Sequence, residues 1–151
     1  MPSKPTLAII GAISVIALFS LFKFPFSSLN HTEPLFPPSS KDGIVHIVMF
    51  EFKEEATAEQ VTDVCDRMLA LKQKCLHPTT KKPYVKMGMG GKQNSPEGLT
   101  GGMTHIFVEE FENEQDREYY LNKDPVHLAF VKSIGDVVKT AQVVDFTPGV
   151  F

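Results

Sequence analysis

Histidine is the side chain that exchanges protons near neutral pH, and three of the five histidines here sit in settings that suit it. His46 lies within an apolar run, Gly43 to Lys53. His105 lies in a second, Met103 to Phe111, and His127 lies two residues after Pro125. Three imidazoles converging on one pocket can shuttle a proton from an acidic carbon. Each taken alone also reads as a partly buried side chain tied to a backbone group. Zinc is a weaker reading. There is no H-x-x-x-H or Cys-x-x-Cys spacing, and the three histidines show no carboxylate partner in the sequence. No metal and no cofactor are expected.

The remaining chemistry-bearing residues point less far. Cys65 and Cys75 are ten apart, about 15 Å along a helix, too far for a disulfide, so they read as structural thiols. Gly88 to Gly91 and Gly98 to Gly102 lack the Lys-Ser/Thr pair and the helix of a phosphate loop, and read as flexible strand ends. The acidic run Glu109, Glu110, Glu112 and Glu114 reads as a solvated strand end and helix entry. A net charge of -3 gives no electrostatic reason to expect nucleic acid as a partner.

The elements that must position the histidines follow in a clear order. Gly43 to Lys53 is dense in β-branched and aromatic residues and predicts a strand. Ile44, His46, Val48, Phe50 and Phe52 share one face; Val45, Ile47 and Met49 share the other, also apolar. Thr57-Ala58-Glu59-Gln60 fits a capping box. Val61, Val64, Cys65, Met68, Leu71 and Cys75 follow at helical spacing. Tyr84 to Gly90 predicts a second strand and Met103 to Phe111 a third. Asn113 caps a short helix, Asp124-Pro125 interrupts it, and Pro125 opens another. Gln142 to Phe146 predicts the last strand.

That order, β-α-β-β-α-β with the last helix split, is a ferredoxin-like α+β fold with the helices on one sheet face. The bare apolar face predicts a homodimer closed sheet to sheet into an α/β barrel.

Ahead of this domain (42–151), residues 1–26 hold an uncharged 18-residue stretch, Pro5 to Phe22. As a helix it spans about 27 Å, just enough to cross a bilayer. Lys4 precedes it and Lys23 follows it. It reads as a single-pass membrane anchor or as a cleaved signal of a secreted protein. A segment docked on the domain is the third reading. The bulky residues after Lys23 favour the anchor. The positive-inside rule leans to an external domain. Residues 27–41 carry prolines and serines and read as a linker, with Asn30-His31-Thr32 as a glycosylation sequon if the segment is luminal.

Four stretches carry a resemblance: Val45 to Lys53, Met103 to Val108, Asp124 to Phe130 and Val144 to Pro148. Together, in order over about residues 42 to 148, they resemble the stress-responsive dimeric α/β-barrel (Dabb) proteins. The resemblance implies a homodimer with a small-molecule pocket between sheet and helices. The family includes plant stress proteins and olivetolic acid cyclase, which performs a cofactor-free aldol condensation of a polyketide. By that likeness His127 matches the cyclase's helical histidine, and His46 and His105 match its strand histidines. The tyrosine paired with the helical histidine falls on Leu121 here, with Tyr119 and Tyr120 just before it. Three functions follow as expectations. One is a pocket for a small apolar or polyketide-like ligand. Another is a cyclase or lyase with His127 as base, His46 and His105 positioning oxygens. The last is a non-catalytic, stress-protective oligomer.

Overall fold

The computed structural model describes residues 43–151. The expected anchor (1–26) and linker (27–41) lie outside the described residues. Among those described, no helix is long and apolar enough to cross a membrane.

Seven elements follow the expected order: β1 (Ile44–Phe52), α1 (Ala58–Lys74), β2 (Met87–Lys92), β3 (His105–Phe111), α2 (Glu114–Asn122), α3 (Pro125–Ser133) and β4 (Val138–Phe146). The strands form one antiparallel sheet in the order β2-β3-β1-β4. This is the ferredoxin-like α+β arrangement. The helix starts are where their caps put them. Thr57 and Gln60 make the reciprocal capping box of α1, and the Asn113 side chain accepts from Asp116 N at the head of α2.

The core lies between the sheet's inner face and the helices. Val48, Phe50, Phe107 and Phe111 of the sheet meet Val64, Met68 and Leu71 of α1, with Tyr120, Phe130 and Ile134 closing the far side. Phe50 and Phe107 pack with ring centroids 5.4 Å apart.

Three expectations are corrected. The second strand begins at Met87, not Tyr84. Tyr84 and Val85 are buried ahead of it, and the Tyr84 hydroxyl donates to Asp124 Oδ2 at 2.9 Å, so this segment serves the core instead of the ladder. The last strand begins at Val138, four residues earlier than its apolar alternation suggests. Its polar start pairs with β1 across an irregularity at Glu51 and Phe52.

The glycines of β2 are not loose ends. Gly88 and Gly90 alternate on the inner face. A Cβ on Gly90 would stand 2.4 Å from the Phe107 ring, and one on Gly88 would stand 3.0 Å from Lys72 Cβ of α1. Small residues here let the Phe107 ring and α1 lie against the strand. Gly91 faces open space. Gly90→Ala is expected to lower stability by about 1–3 kcal/mol through overpacking. Gly91→Ala serves as the near-neutral control, and denaturant unfolding of both reads the difference.

Candidate functional site

The site is built by register. His46 and Asp145 are direct partners across β1 and β4, so their side chains leave the same face. His46 Nδ1 meets Asp145 Oδ1 at 2.6 Å, while the carboxylate's other oxygen accepts from Arg117 Nη1 at 2.7 Å. Arg117 is itself held by Glu118 and Glu114. A carboxylate only accepts, so Nδ1 of His46 donates. This overturns the expectation that the histidines lack a carboxylate partner. The partner is 99 residues away in sequence and becomes visible only when β4 is laid beside β1.

His127 is positioned by the break between α2 and α3. Pro125 stands at the first helical position, and Asp124 Oδ1 accepts from Val126 N and His127 N. The chain turns there so that His127 Nδ1 lies 2.9 Å from the Tyr120 carbonyl. A carbonyl cannot donate, so the proton sits on Nδ1 and the neutral ring carries its lone pair on Nε2. Burial holds this imidazole below its ordinary pKa and so favours the neutral, basic form at pH 7. The Tyr120 ring stacks on it, centroids 3.8 Å apart, and meets His46 edge-on at 6.1 Å.

These groups line one end of a cavity of about 500 Å³ between β1, β4 and the α2–α3 segment. The other end is apolar: Val48, Phe50, Val143, Phe130, Val131 and Ile134. No lysine or arginine lines it. The volume suits a small organic ligand, with polar groups at one end to orient it.

His105 stands elsewhere. It shares the inner face but pairs with Phe50 and Lys92 toward the opposite end of the sheet. Its Nδ1 meets Thr104 Oγ1 at 2.9 Å, and its ring meets Phe52 edge-on at 4.9 Å. It does not line the cavity that His46 and His127 share.

One polar residue of the region was not apparent as such. Glu109, expected in a solvated run, is only 2% exposed. Strand alternation turns it inward, between His46 on β1 and Gly88 on β2. Burial raises its pKa to about 7, with the Tyr120 hydroxyl working in the opposite direction. Tyr120 is fully buried, although its position is one residue from the expected Leu121; both line the cavity. Cys65 and Cys75 are free thiols, and burial pushes both upward in pKa, so neither is an activated nucleophile. Among the described residues no cluster of three or more His, Cys, Asp or Glu could hold a metal ion.

Residues 44–148 match the Stress responsive A/B Barrel Domain family. The chain belongs to that family. Similar solved structures share the fold. An Arabidopsis thaliana protein is 24% identical with a TM-score of 0.61, over 72% of this chain and 97% of its own. A hydroxynitrile lyase from Passiflora edulis is 19% identical with a TM-score of 0.63, over 74% of this chain and 99% of its own. A dimeric ferredoxin-like protein from Thermobifida fusca is 24% identical with a TM-score of 0.52, over 70% and 90%. No curated protein matches the chain by sequence.

The two buried titrations pull stability in opposite directions. His127, lowered on folding, costs stability as pH falls from the ordinary imidazole range through its native value. Glu109, raised on folding from 4.5 to about 7, costs stability as pH rises through that window, by about 3 kcal/mol once fully ionised. Glu109→Gln is therefore expected to match the natural chain near pH 4.5 and to exceed it above pH 7. Unfolding curves across that range measure the crossing, and a constant difference at all pH values would contradict it.

Proposed function

We propose that this domain binds a small, largely apolar compound bearing a hydroxyl or carbonyl group and performs cofactor-free proton transfer on it, as a lyase or an aldol-type cyclase. The observation that carries this is His127 Nε2, a lone pair left free because Nδ1 is committed to the Tyr120 carbonyl, at the polar end of an apolar cavity. His127 takes a proton from the substrate's hydroxyl, or from a carbon beside its carbonyl. The electron pair then breaks the adjacent carbon–carbon bond, or attacks a second carbonyl to close a ring. His46, braced by Asp145 and Arg117, exchanges the second proton through its own Nε2.

The fold shared with a hydroxynitrile lyase supports the lyase form, since cyanohydrin cleavage is a proton removal followed by loss of a carbon nucleophile. The Leu121 replacement and the burial of the Tyr120 hydroxyl favour a second reading, binding without turnover. His105 acts at most from outside this cavity.

Two further proposals concern setting. The outer sheet face carries Val45, Ile47, Met49, Ile106, Val108, Val144 and Phe146, the last two about half exposed. A homodimer closing these faces together removes that apolar surface from water. The dimeric ferredoxin-like protein of similar fold supports self-association. Residues 5–22 then tether the dimer to a membrane as a single-pass anchor. A non-catalytic protective oligomer shares these features but does not need the histidines.

Full-length protein, offered aliphatic and aromatic aldehydes, their cyanohydrins and linear polyketide esters, should bind or convert at least one class. His127→Ala should lower any turnover by about 10²–10⁴-fold with the fold intact. Turnover that survives this change would sink the enzymatic reading, and failure of every compound to bind would sink the pocket. In membranes washed at alkaline pH the full chain should stay in the pellet. Extracted in detergent it should run as two copies, and as one copy after Ile47→Asp. A freely soluble chain or an unaffected dimer would refute the corresponding proposal.

A further inference from the structure

The proton-transfer scheme leaves one buried acid unused. Glu109 and Tyr120 are both sealed in the core, and each has a side-chain oxygen, Glu109 Oε2 and the Tyr120 hydroxyl, with no settled hydrogen bond. They come from facing elements, β3 and α2, and each acts on the other electrostatically. A phenol donates and a carboxyl accepts, so the two groups complete one another.

Tyr120 is also the residue that grips the base. Its carbonyl orients His127 Nδ1, its ring stacks on the imidazole at 3.8 Å, and its edge meets His46 at 6.1 Å. Whatever fixes the phenol fixes the stacked ring. We propose that Glu109 is a positioning residue of this site: its carboxyl receives the Tyr120 hydroxyl and, through that ring, holds the His127 imidazole against the cavity. The proposal deepens the reading of His127 as the base, yet its test needs no turnover.

Other groups face Glu109 from each packed element. They are His46 on β1, Tyr120 on α2 and Cys75 at the end of α1. Burial keeps Glu109 mostly protonated over the range in which His127 titrates. Glutamine at 109 therefore mimics the relevant form and still offers an oxygen to the phenol.

The test is an NMR titration of the His127 ring in full-length protein, with the amide spectrum as the check on folding. Glu109→Gln should leave the His127 resonances and midpoint in place. Glu109→Val should let the phenol and imidazole loosen, moving the midpoint up toward the ordinary value of about 6.5. Tyr120→Phe removes the same link from the other side and should give the same direction of shift. It serves alone if Glu109→Val does not fold. The double variant should add nothing to either single change, as expected for one shared interaction. His127 signals unchanged in folded Glu109→Val or Tyr120→Phe protein would overturn the proposal. So would a Gln variant as disruptive as Val. Because the readout is a titration, loss of the enzymatic reading alone would leave these shifts intact.

Discussion

The structure turns on the carboxylate of Asp124. Almost fully buried, it caps α3 with one oxygen and receives the Tyr84 hydroxyl with the other. A carboxylate in that environment needs such partners, because an unpaired buried charge is strongly unfavourable. Satisfying it fixes the angle at which the chain leaves α2 and enters α3. That angle carries the Tyr120 carbonyl to His127 Nδ1. Without the break, a continuous helix would commit the carbonyl to its own ladder, and His127 would have no fixed tautomer.

From that joint the rest of the site follows by ordinary packing. α2 and α3 lie over β1 and β4, and strand register brings His46 and Asp145 beneath them. Arg117 steadies Asp145 from α2, so helix and sheet are tied on the polar side. The apolar remainder of the cavity is ordinary core surface left uncovered: Phe50, Phe130 and Ile134 continue from the core into its wall. A base, a braced second imidazole and a greasy chamber thus arise from one helix break and one strand pairing.

Much of the fold is legible in the sequence because its signals are local. The Thr57 box, the Asn113 cap and the Asp124-Pro125 break each announce a helix end, and β1 reads as a strand on composition alone. His46 and His127 are likewise visible as candidates. What escapes is long-range. Asp145 shows no link to His46 until β4 is registered against β1, and the polar start of β4 hides its first four residues. Glu109 looks like one of a solvated run, and only the alternation of β3, with Gly88 opposite, turns it inward. Gly88 and Gly90 carry packing information that composition reads as looseness.

The central claim is that His127 is held as a neutral base with its proton on Nδ1. Nitrogen NMR of histidine-labelled full-length protein at pH 7 reads this directly. The account predicts a protonated Nδ1 and an unprotonated Nε2 for His127. An Nε2-protonated tautomer, or an imidazolium, at that pH would contradict it.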